Sequence, residues 1–204
     1  QHWDRNGVES SPIQDSSYSN PKEVKGVPIF FTFLKVLEQF FEDDVPPVVE
    51  VRANRIYCLL FGFHDASGSG LGSSVMGPGG IRIRVGIWKS DLDESSNFRE
   101  FENGVQTLEE EAKLGNLDNA MVFLCTDNTV TESAWYKGNS SDPKLFSLVV
   151  RLRKLQMKHA AQIFLTHVSG ERMKAQGTDG FSRGHLREGI ATGLGMLSFI
   201  PFNE

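Results

Sequence analysis

Two aspartates, Asp65 and Asp127, each come at the end of an apolar run of strand length. Ligands of an open α/β sheet bind beyond the carboxyl ends of its strands, so these carboxylates would share one site if the strands were parallel neighbours. Two buried carboxylates that lie close together repel each other, and a divalent metal ion removes this penalty. The alternative is that each aspartate caps the turn or helix that follows it. The two positions therefore indicate either a metal site or two local caps.

The elements that must position these aspartates follow a mixed α/β pattern. Three apolar or alternating runs between 53 and 89 predict an antiparallel meander. Apolar residues at helical spacing predict an amphipathic helix from 97 to about 114, and Asp142 followed by Pro143 predicts the start of a longer one. The runs MVFLCTD and AQIFLTHV predict two further strands. We therefore expect an α/β fold with helices on a mixed sheet, and neither a doubly wound fold nor a β-sandwich.

The chain divides into four predicted segments. Residues 1–22 are polar and form a predicted flexible lead-in, and residues 23–50 carry apolar side chains at helical spacing that predict an N-terminal helical extension. This helix either docks on the domain or binds a partner. Residues 51–184 hold the predicted domain, and residues 185–204 form a C-terminal tail. Because the chain begins with glutamine, we expect it to be a fragment of a longer protein.

The composition is that of an ordinary globular protein, with 39% hydrophobic and 23% charged residues among 204. The formal charge of -5 gives no general attraction to nucleic acid, although it is compatible with a local basic patch. No apolar stretch approaches the roughly 20 residues that span a bilayer, so no membrane association is expected. The two cysteines, Cys58 and Cys125, lie in apolar runs and predict the reduced thiols of an intracellular protein, cytoplasmic or nuclear.

Four motifs, taken in chain order, carry a resemblance to a known family. They are FHDAS at 63–67, SNFREF at 96–101, TDN at 126–128, and HVSG at 167–170 with GTDGFSR at 177–183. Together they resemble the ribonuclease H domain of retroelement reverse transcriptases. The segments ESAWYKGNSSDPKLFSLVVRLRKL and DGFSRGHLREGIATGLGMLSFIP are most similar to tyrosine-recombinase (DIRS-type) retrotransposons. The resemblance implies a ribonuclease H-like mixed five-stranded sheet, an antiparallel meander plus two parallel strands, flanked by helices.

The resemblance also implies a set of metal-ligating catalytic carboxylates, which are Asp65, Glu100, Asp127 and Asp179. Periodicity alone leaves Glu100 and Glu102 as alternatives, because they flank the apolar stripe of the same helix. The family's glutamate precedes a large apolar residue, and this pattern selects Glu100. We expect Glu102 and the glutamates at 109–111 to form a solvated face.

The chain departs from the family's pattern in two places. Cellular ribonucleases H usually carry a histidine after the glycine that is Gly170 here, and this chain has Glu171. The interval from Gly170 to Asp179 is also longer than is common in retroelements. In the family, the missing histidine assists turnover more than it defines the metal site. The longer interval bears only on the assignment of Asp179 as the fourth carboxylate.

The function that the resemblance implies is enzymatic. A metal-dependent ribonuclease H hydrolyses the RNA strand of RNA–DNA hybrids with two Mg²⁺ ions, or with Mn²⁺ in their place. By resemblance, Asp65 bridges both ions, Asp179 helps to hold the ion that activates water, and Glu100 and Asp127 hold the ion on the leaving-group side. The implied partners are the hybrid and the reverse transcriptase polymerase domain of the same polyprotein.

Polar and basic side chains supply expected contacts to such a hybrid. The polar residues nearest to the acidic motifs are Ser67, Asn97 and Asn128, which would contact the 2′-hydroxyls of RNA but could equally be cap or turn residues. On the helix from 143, the basic residues opposite the leucine stripe are Arg151, Lys154 and Lys158. They favour a phosphate-binding face, and the alternative is a helix face that is merely solvated.

Two other functions are compatible with the same architecture. One is a catalytically silent ribonuclease H-like domain that binds nucleic acid or connects the polymerase to other domains; loss of an acidic residue would favour it, and all four are present. The other is an integrase or transposase nuclease, which places its glutamate last. Here Glu100 lies between Asp65 and Asp127, so the order favours ribonuclease H.

Overall fold

A mixed β-sheet lies at the centre of the part of the chain that the computed structural model describes, which comprises residues 34, 35, 38, 58–88, 94–189 and 197–201. The strands are β1 (Cys58–Ala66), β2 (Gly70–Gly77), β3 (Gly80–Ile87), β4 (Ala120–Thr126), β5 (Gln162–His167) and β6 (Leu197–Pro201). Their order across the sheet is β5-β4-β1-β2-β3-β6. β1, β2 and β3 are antiparallel neighbours, whereas the pairs β1–β4, β4–β5 and β3–β6 are parallel.

The predicted meander and the two predicted parallel strands are confirmed. The structure adds β6, which lies beside β3 and falls in the segment predicted to be a C-terminal tail. Five residues give too few alternations of polar and apolar side chains for a strand to be identified from the sequence. The sheet is therefore one strand wider than predicted.

Between residues 94 and 189 the chain forms helices α1 (Ser96–Lys113), α2 (Thr129–Lys137), α3 (Pro143–Lys158), α4 (Gly170–Gln176) and α5 (Thr178–Ser182). Capping side chains set the starts of the longer ones, as predicted for α3: Ser95 accepts a hydrogen bond from the backbone of α1, and Asp142 accepts one from the backbone of α3. Of the predicted N-terminal extension, Leu34, Lys35 and Glu38 are helical. The rest of that prediction, like the lead-in at 1–22, lies outside the described residues.

The two faces of the sheet are covered by different helices. Leu60 and Val122 of the sheet share a buried core with Phe101 of α1 and Leu148 of α3. Phe181 of α5 packs against two isoleucines of β3 in a second, smaller cluster. Because successive strand residues point to opposite faces, a side chain near the end of β1 is reached either by α1 or by α5.

Three phenylalanines stabilise the register of the parallel strands. Phe61 of β1 lies opposite Phe123 of β4, which lies opposite Phe164 of β5. The neighbouring rings stack with their centroids 5.3 and 5.2 Å apart. Cross-strand aromatic pairs of this kind contribute about 0.2 to 1 kcal/mol each. The stack therefore helps to hold the ends of β1 and β4 level with each other.

Two of the α1 glutamates that were predicted to lie on a solvated face are buried, so that prediction is wrong for them. Glu111 is fully buried and binds Arg84 and Arg82 of β3, with nitrogen–oxygen distances of 2.8 and 2.7 Å. Glu102 is 8% exposed and binds Arg151 of α3. Burial alone would raise the pKa of Glu111, but the two arginines, together with a hydrogen bond from Asn116, outweigh it and hold the pKa below its ordinary value. Helical spacing could not reveal this, because the cations come from distant elements.

Both cysteines, Cys58 and Cys125, are free thiols, as expected. Among the described residues, no helix combines the length and the apolar character that a membrane span requires.

Replacement of Glu111 by glutamine should lower the free energy of unfolding by about 3 kcal/mol or more, because it leaves two arginines without their buried counter-charge. Urea denaturation of the two purified proteins measures this change. The neighbouring Glu110→Gln removes only a partly exposed pair with Lys113 and should change stability by less than about 1 kcal/mol. Equal losses in the two variants would contradict a structural role for the Glu111 pairs.

Candidate metal centre

Asp65 and Asp127 lie at the same edge of the sheet. β1 and β4 are parallel neighbours in which Phe63 lies opposite Cys125. Asp65 and Asp127 each come two positions further along, so their side chains leave the sheet at the same level. The condition for a shared site, that the two strands are parallel neighbours, is thus met.

Glu100 of α1 completes a group of three carboxylates. One carboxylate oxygen from each of Asp65, Glu100 and Asp127 lies within 4.8 Å of the other two. Asp65 and Glu100 are each only 7% exposed, whereas Asp127 is partly exposed. The structure therefore brings together three of the four predicted carboxylates, and it selects Glu100 over Glu102 for this group.

Glu100 is held by hydrogen bonds from β4 and from the residues that follow it. The Thr126 hydroxyl donates to Oε1 of Glu100, and the Asn128 amide donates to Oε2 at 3.2 Å. Burial raises the pKa of Glu100 to about 8, and the negative charges of Asp127 and Asp65 add to this rise. The two hydrogen bonds oppose the shift without cancelling it. Without a cation, Glu100 is therefore largely protonated at neutral pH.

Asp65 is held from both faces of the sheet. The Ser182 hydroxyl of α5 donates to Oδ2 of Asp65 at 2.6 Å, and the Asn103 amide of α1 donates to its backbone carbonyl at 2.7 Å. Burial raises the pKa of Asp65, the Ser182 hydrogen bond opposes the rise, and the charges of Asp127 and Asp179 add to it. Burial is thus the main reason that both carboxylates favour their protonated forms, and the neighbouring negative charges act in the same direction.

Asp179 lies beside this group without belonging to it. Its charge acts on Asp65, yet its own carboxylate binds Arg183 with nitrogen–oxygen distances of 3.0 and 3.2 Å. Asp179 stands on the five-residue helix α5, one turn before Arg183. The predicted fourth ligand is thus adjacent to the three-carboxylate group and paired with a cation of the chain itself.

The three predicted polar contacts have structural roles near the same site. Asn128 caps α2 and also donates to the side chain of Asn97 at 2.9 Å. The Ser67 hydroxyl accepts a hydrogen bond from the backbone of Gly70 in the turn between β1 and β2. The cap and turn roles that the sequence left open are therefore real, and the side chains of Asn97 and Asn128 also border the acidic group.

The predicted basic face of α3 is in part an ion-pair network. Arg151 binds Glu102 at 2.6 Å and Glu109 at 2.8 Å, which ties α3 to α1. Lys158 is exposed, and Lys154 is partly buried.

No protein-family model and no curated protein sequence matches the chain. Among solved structures, it is similar to ribonuclease H1 from the halophilic archaeon Halobacterium salinarum NRC-1, with 20% identity, coverage of 63% of this chain and 97% of that chain, and a TM-score of 0.51. The chain has the ribonuclease H fold. It is also similar to LC11 ribonuclease H1 solved with an RNA/DNA hybrid, with 15% identity, coverage of 61% of this chain and 92% of that chain, and a TM-score of 0.48. A further similar structure is the protease-reverse transcriptase of prototype foamy virus, with 11% identity, coverage of 71% of this chain and 21% of that chain, and a TM-score of 0.36.

Several residues that organise the three-carboxylate group carry no local signal in the sequence. His64 is fully buried, and its Nδ1 donates to the backbone carbonyl of Glu100 at 3.0 Å. Its ring lies so close to α1 that a Cβ on Gly104 would approach it to 2.9 Å. Thr126 and Ser182 likewise act on carboxylates far away in the chain. Only contacts across elements reveal these roles, although the glycine at 104 in the middle of a helix is a hint of close packing.

The donor set fits a divalent cation. Carboxylate oxygens are the ligands that Mg²⁺, Mn²⁺ and Ca²⁺ prefer, and the excess negative charge of the group is what a cation would neutralise. A bound cation would also favour the ionised form of Glu100 over the protonated form.

In the absence of metal, the wild-type protein should become less stable relative to Glu100→Gln as the pH rises from about 5 to about 8. Glu100 keeps its proton in the folded state up to a pKa of about 8, whereas the unfolded chain releases it near 4.5. The folded state then binds more protons, so the free energy of unfolding falls with pH by at most about 1.4 kcal/mol per pH unit, and the loss is complete above pH 8. Thermal unfolding in EDTA from pH 5 to 9 measures the difference.

The exposed variant Glu171→Gln is the matched control for this measurement, because its side chain is 89% exposed. Its stability should follow the wild-type curve at every pH. Parallel curves for wild type and Glu100→Gln would contradict a raised pKa for Glu100.

Proposed function

We propose that this domain is a metal-dependent endonuclease that hydrolyses the RNA strand of RNA–DNA hybrids. One observation carries the proposal: Asp65, Glu100 and Asp127 converge at the carboxyl ends of the two central parallel strands of a ribonuclease H fold. Two of these carboxylates are buried with raised pKa values, an arrangement that a structural role does not require.

The side chains have distinct parts in this proposal. Asp65, Glu100 and Asp127 would hold divalent metal, Mg²⁺ or Mn²⁺, and Asp179 would join them from α5. When bound, the metal supplies a water of lowered pKa and neutralises charge on the phosphate. The proximity of Asp179 to Asp65, visible in their electrostatic interaction, supports its inclusion. Thr126, Asn128 and Ser182 keep the carboxylate oxygens in place.

Selectivity for RNA is assigned to the polar rim of the site. A hybrid presents 2′-hydroxyls on its RNA strand alone. Asn97 and Asn128 border Glu100, and Ser67 lies in the turn that follows Asp65. Amide and hydroxyl groups can both donate to and accept from a 2′-hydroxyl, which suits these three residues to the task.

The wider context proposed for the domain is a retroelement polyprotein. The motif order and the segments at 132–155 and 179–201 are most similar to tyrosine-recombinase (DIRS-type) retrotransposons, in which the ribonuclease H domain follows a reverse transcriptase polymerase. The polymerase domain would then be its partner in the same chain. Co-purification of the domain with the encoded polymerase domain tests this assignment.

Asp65→Asn, Asp127→Asn and Glu100→Gln should each lower the rate of hybrid cleavage by about 100-fold or more, because each removes a charged ligand from the metal site. A labelled RNA–DNA hybrid incubated with Mg²⁺ or Mn²⁺ reports the cleavage. Circular dichroism checks that each variant is folded.

Glu102→Gln is the matched control, since Glu102 lies on the same helix and binds Arg151 rather than the carboxylate group. It should retain cleavage within a fewfold of wild type. Near-normal cleavage by Asp65→Asn would overturn the proposed function. A wild-type protein that binds the hybrid in Ca²⁺ but never cleaves it would instead be a catalytically silent domain of the same fold.

Replacement of both Lys154 and Lys158 by glutamine should weaken hybrid binding and reduce its salt dependence. Each lost phosphate contact reduces the magnitude of the slope of log affinity against log salt by about 0.9. The slope of the double variant should therefore be smaller in magnitude than that of wild type by about one to two. Titrations in Ca²⁺ at several salt concentrations measure the slope.

Arg151→Gln provides the contrast, because its guanidinium is used in pairs with Glu102 and Glu109. This variant should lose thermal stability and keep the wild-type slope. A reduced slope for Arg151→Gln, with the slope of the lysine variant unchanged, would place the hybrid on a different part of α3.

A further inference from the structure

Helix α5 lies directly on strand β2, and two glycines make this approach feasible. A Cβ on Gly72 would lie 2.5 Å from the backbone nitrogen of Ser182, and a Cβ on Gly70 would clash with the Ser182 carbonyl oxygen. Any larger side chain at these positions would push α5 off the strand. The glycine-rich segment after Asp65 therefore serves close packing at the edge of the carboxylate group.

This packing buries the Ser182 side chain against Asp65. Ser182 is 2% exposed, and its hydroxyl donates to Oδ2 of Asp65 at 2.6 Å. The same hydroxyl lies 2.9 Å from the backbone carbonyl of Asp179. From the other side, the Ser67 hydroxyl donates to the backbone carbonyl of Ser182 at 2.7 Å. The position of Ser182 is thus held by contacts other than its hydrogen bond to Asp65.

We propose that Ser182 is a positioning residue that orients the carboxylate of Asp65 for metal binding, an inference that rests on the proposed function. A carboxylate with one oxygen held by a short, charge-assisted hydrogen bond cannot rotate freely. Its second oxygen then keeps a fixed direction relative to Glu100 and Asp127. Hydrogen bonds to metal-ligating groups act in this way, and their loss costs about 10- to 100-fold in metal affinity or activity.

The geometry also links the first and the fourth carboxylates. Ser182 and Asp179 occupy one turn of α5, so the same short helix carries the residue that orients Asp65 and the fourth carboxylate. Loss of the hydroxyl should leave α5 in place, because Phe181 remains packed on β3 and the Ser67 bond to the backbone remains. The hydroxyl can therefore be tested separately from the docking of the helix.

The experiment is a calorimetric titration of the full chain with Mn²⁺ alone, without nucleic acid. Ser182→Ala should weaken Mn²⁺ binding about 10- to 100-fold relative to wild type. The control Ser147→Ala removes a partly exposed serine whose hydroxyl donates to the Lys144 carbonyl within α3, and it should bind Mn²⁺ like wild type. In an Asp65→Asn background, Ser182→Ala should cause no further loss, because Ser182 acts through Asp65.

Ser182→Cys keeps a side chain of similar size with a weak donor and should give an intermediate affinity, which preserves the test if the alanine variant fails to fold. Wild-type affinity in a folded Ser182→Ala or Ser182→Cys protein would overturn the inference. An equal further loss in the Asp65→Asn background would also overturn it. If Ser182→Ala weakens Mn²⁺ binding but the wild-type protein never cleaves the hybrid, only the proposed function is refuted. If the wild-type protein binds no Mn²⁺, both are refuted.

Discussion

Repulsion among Asp65, Glu100 and Asp127 is the interaction on which the arrangement of the site depends. Three carboxylates whose oxygens lie within 4.8 Å of one another are costly to hold together, above all when two of them are buried. Each is held by a different element, β1, α1 or the end of β4, so the repulsion is relieved by protonation of Glu100 or by a bound cation rather than by rearrangement within one element. The packing of the sheet and α1 must supply the free energy that keeps them together.

Close contacts between α1 and β1 supply much of this rigidity. The His64 ring can pack closely against α1 because position 104 is glycine, and its hydrogen bond to the Glu100 carbonyl links β1 to α1. Asn103 adds bonds to the backbones of β1 and β2. These contacts use neutral donors, which add no charge to the carboxylate group. Arg82 and Arg84 lie further from the group and neutralise Glu111 at the far end of α1.

The sequence predicts the features that depend on local periodicity, such as where a strand ends. It does not predict contacts between residues that are far apart in the chain. The ends of β1 and β4 are visible as apolar runs that stop at Asp65 and Asp127, so the level of the site could be predicted. Periodicity alone could not separate Glu100 from Glu102, because only the position of β4 decides which flank of α1 faces the other carboxylates. Burial of Glu111 and the pairing of Arg151 with α1 were missed for the same reason: their partners lie at least 27 positions away.

The charge balance of the molecule connects metal binding with nucleic-acid binding under the proposed function. The chain has a formal charge of -5, and Arg151 is committed to glutamates of α1. The ionised carboxylates would repel the phosphates of a hybrid at the point where cleavage must occur. Attraction at that point must therefore come from the bound cations, while the lysines of α3 act at a distance. A hybrid seated in the site should accordingly require metal not only for hydrolysis but also for its own close approach, which makes metal and hybrid binding mutually favourable.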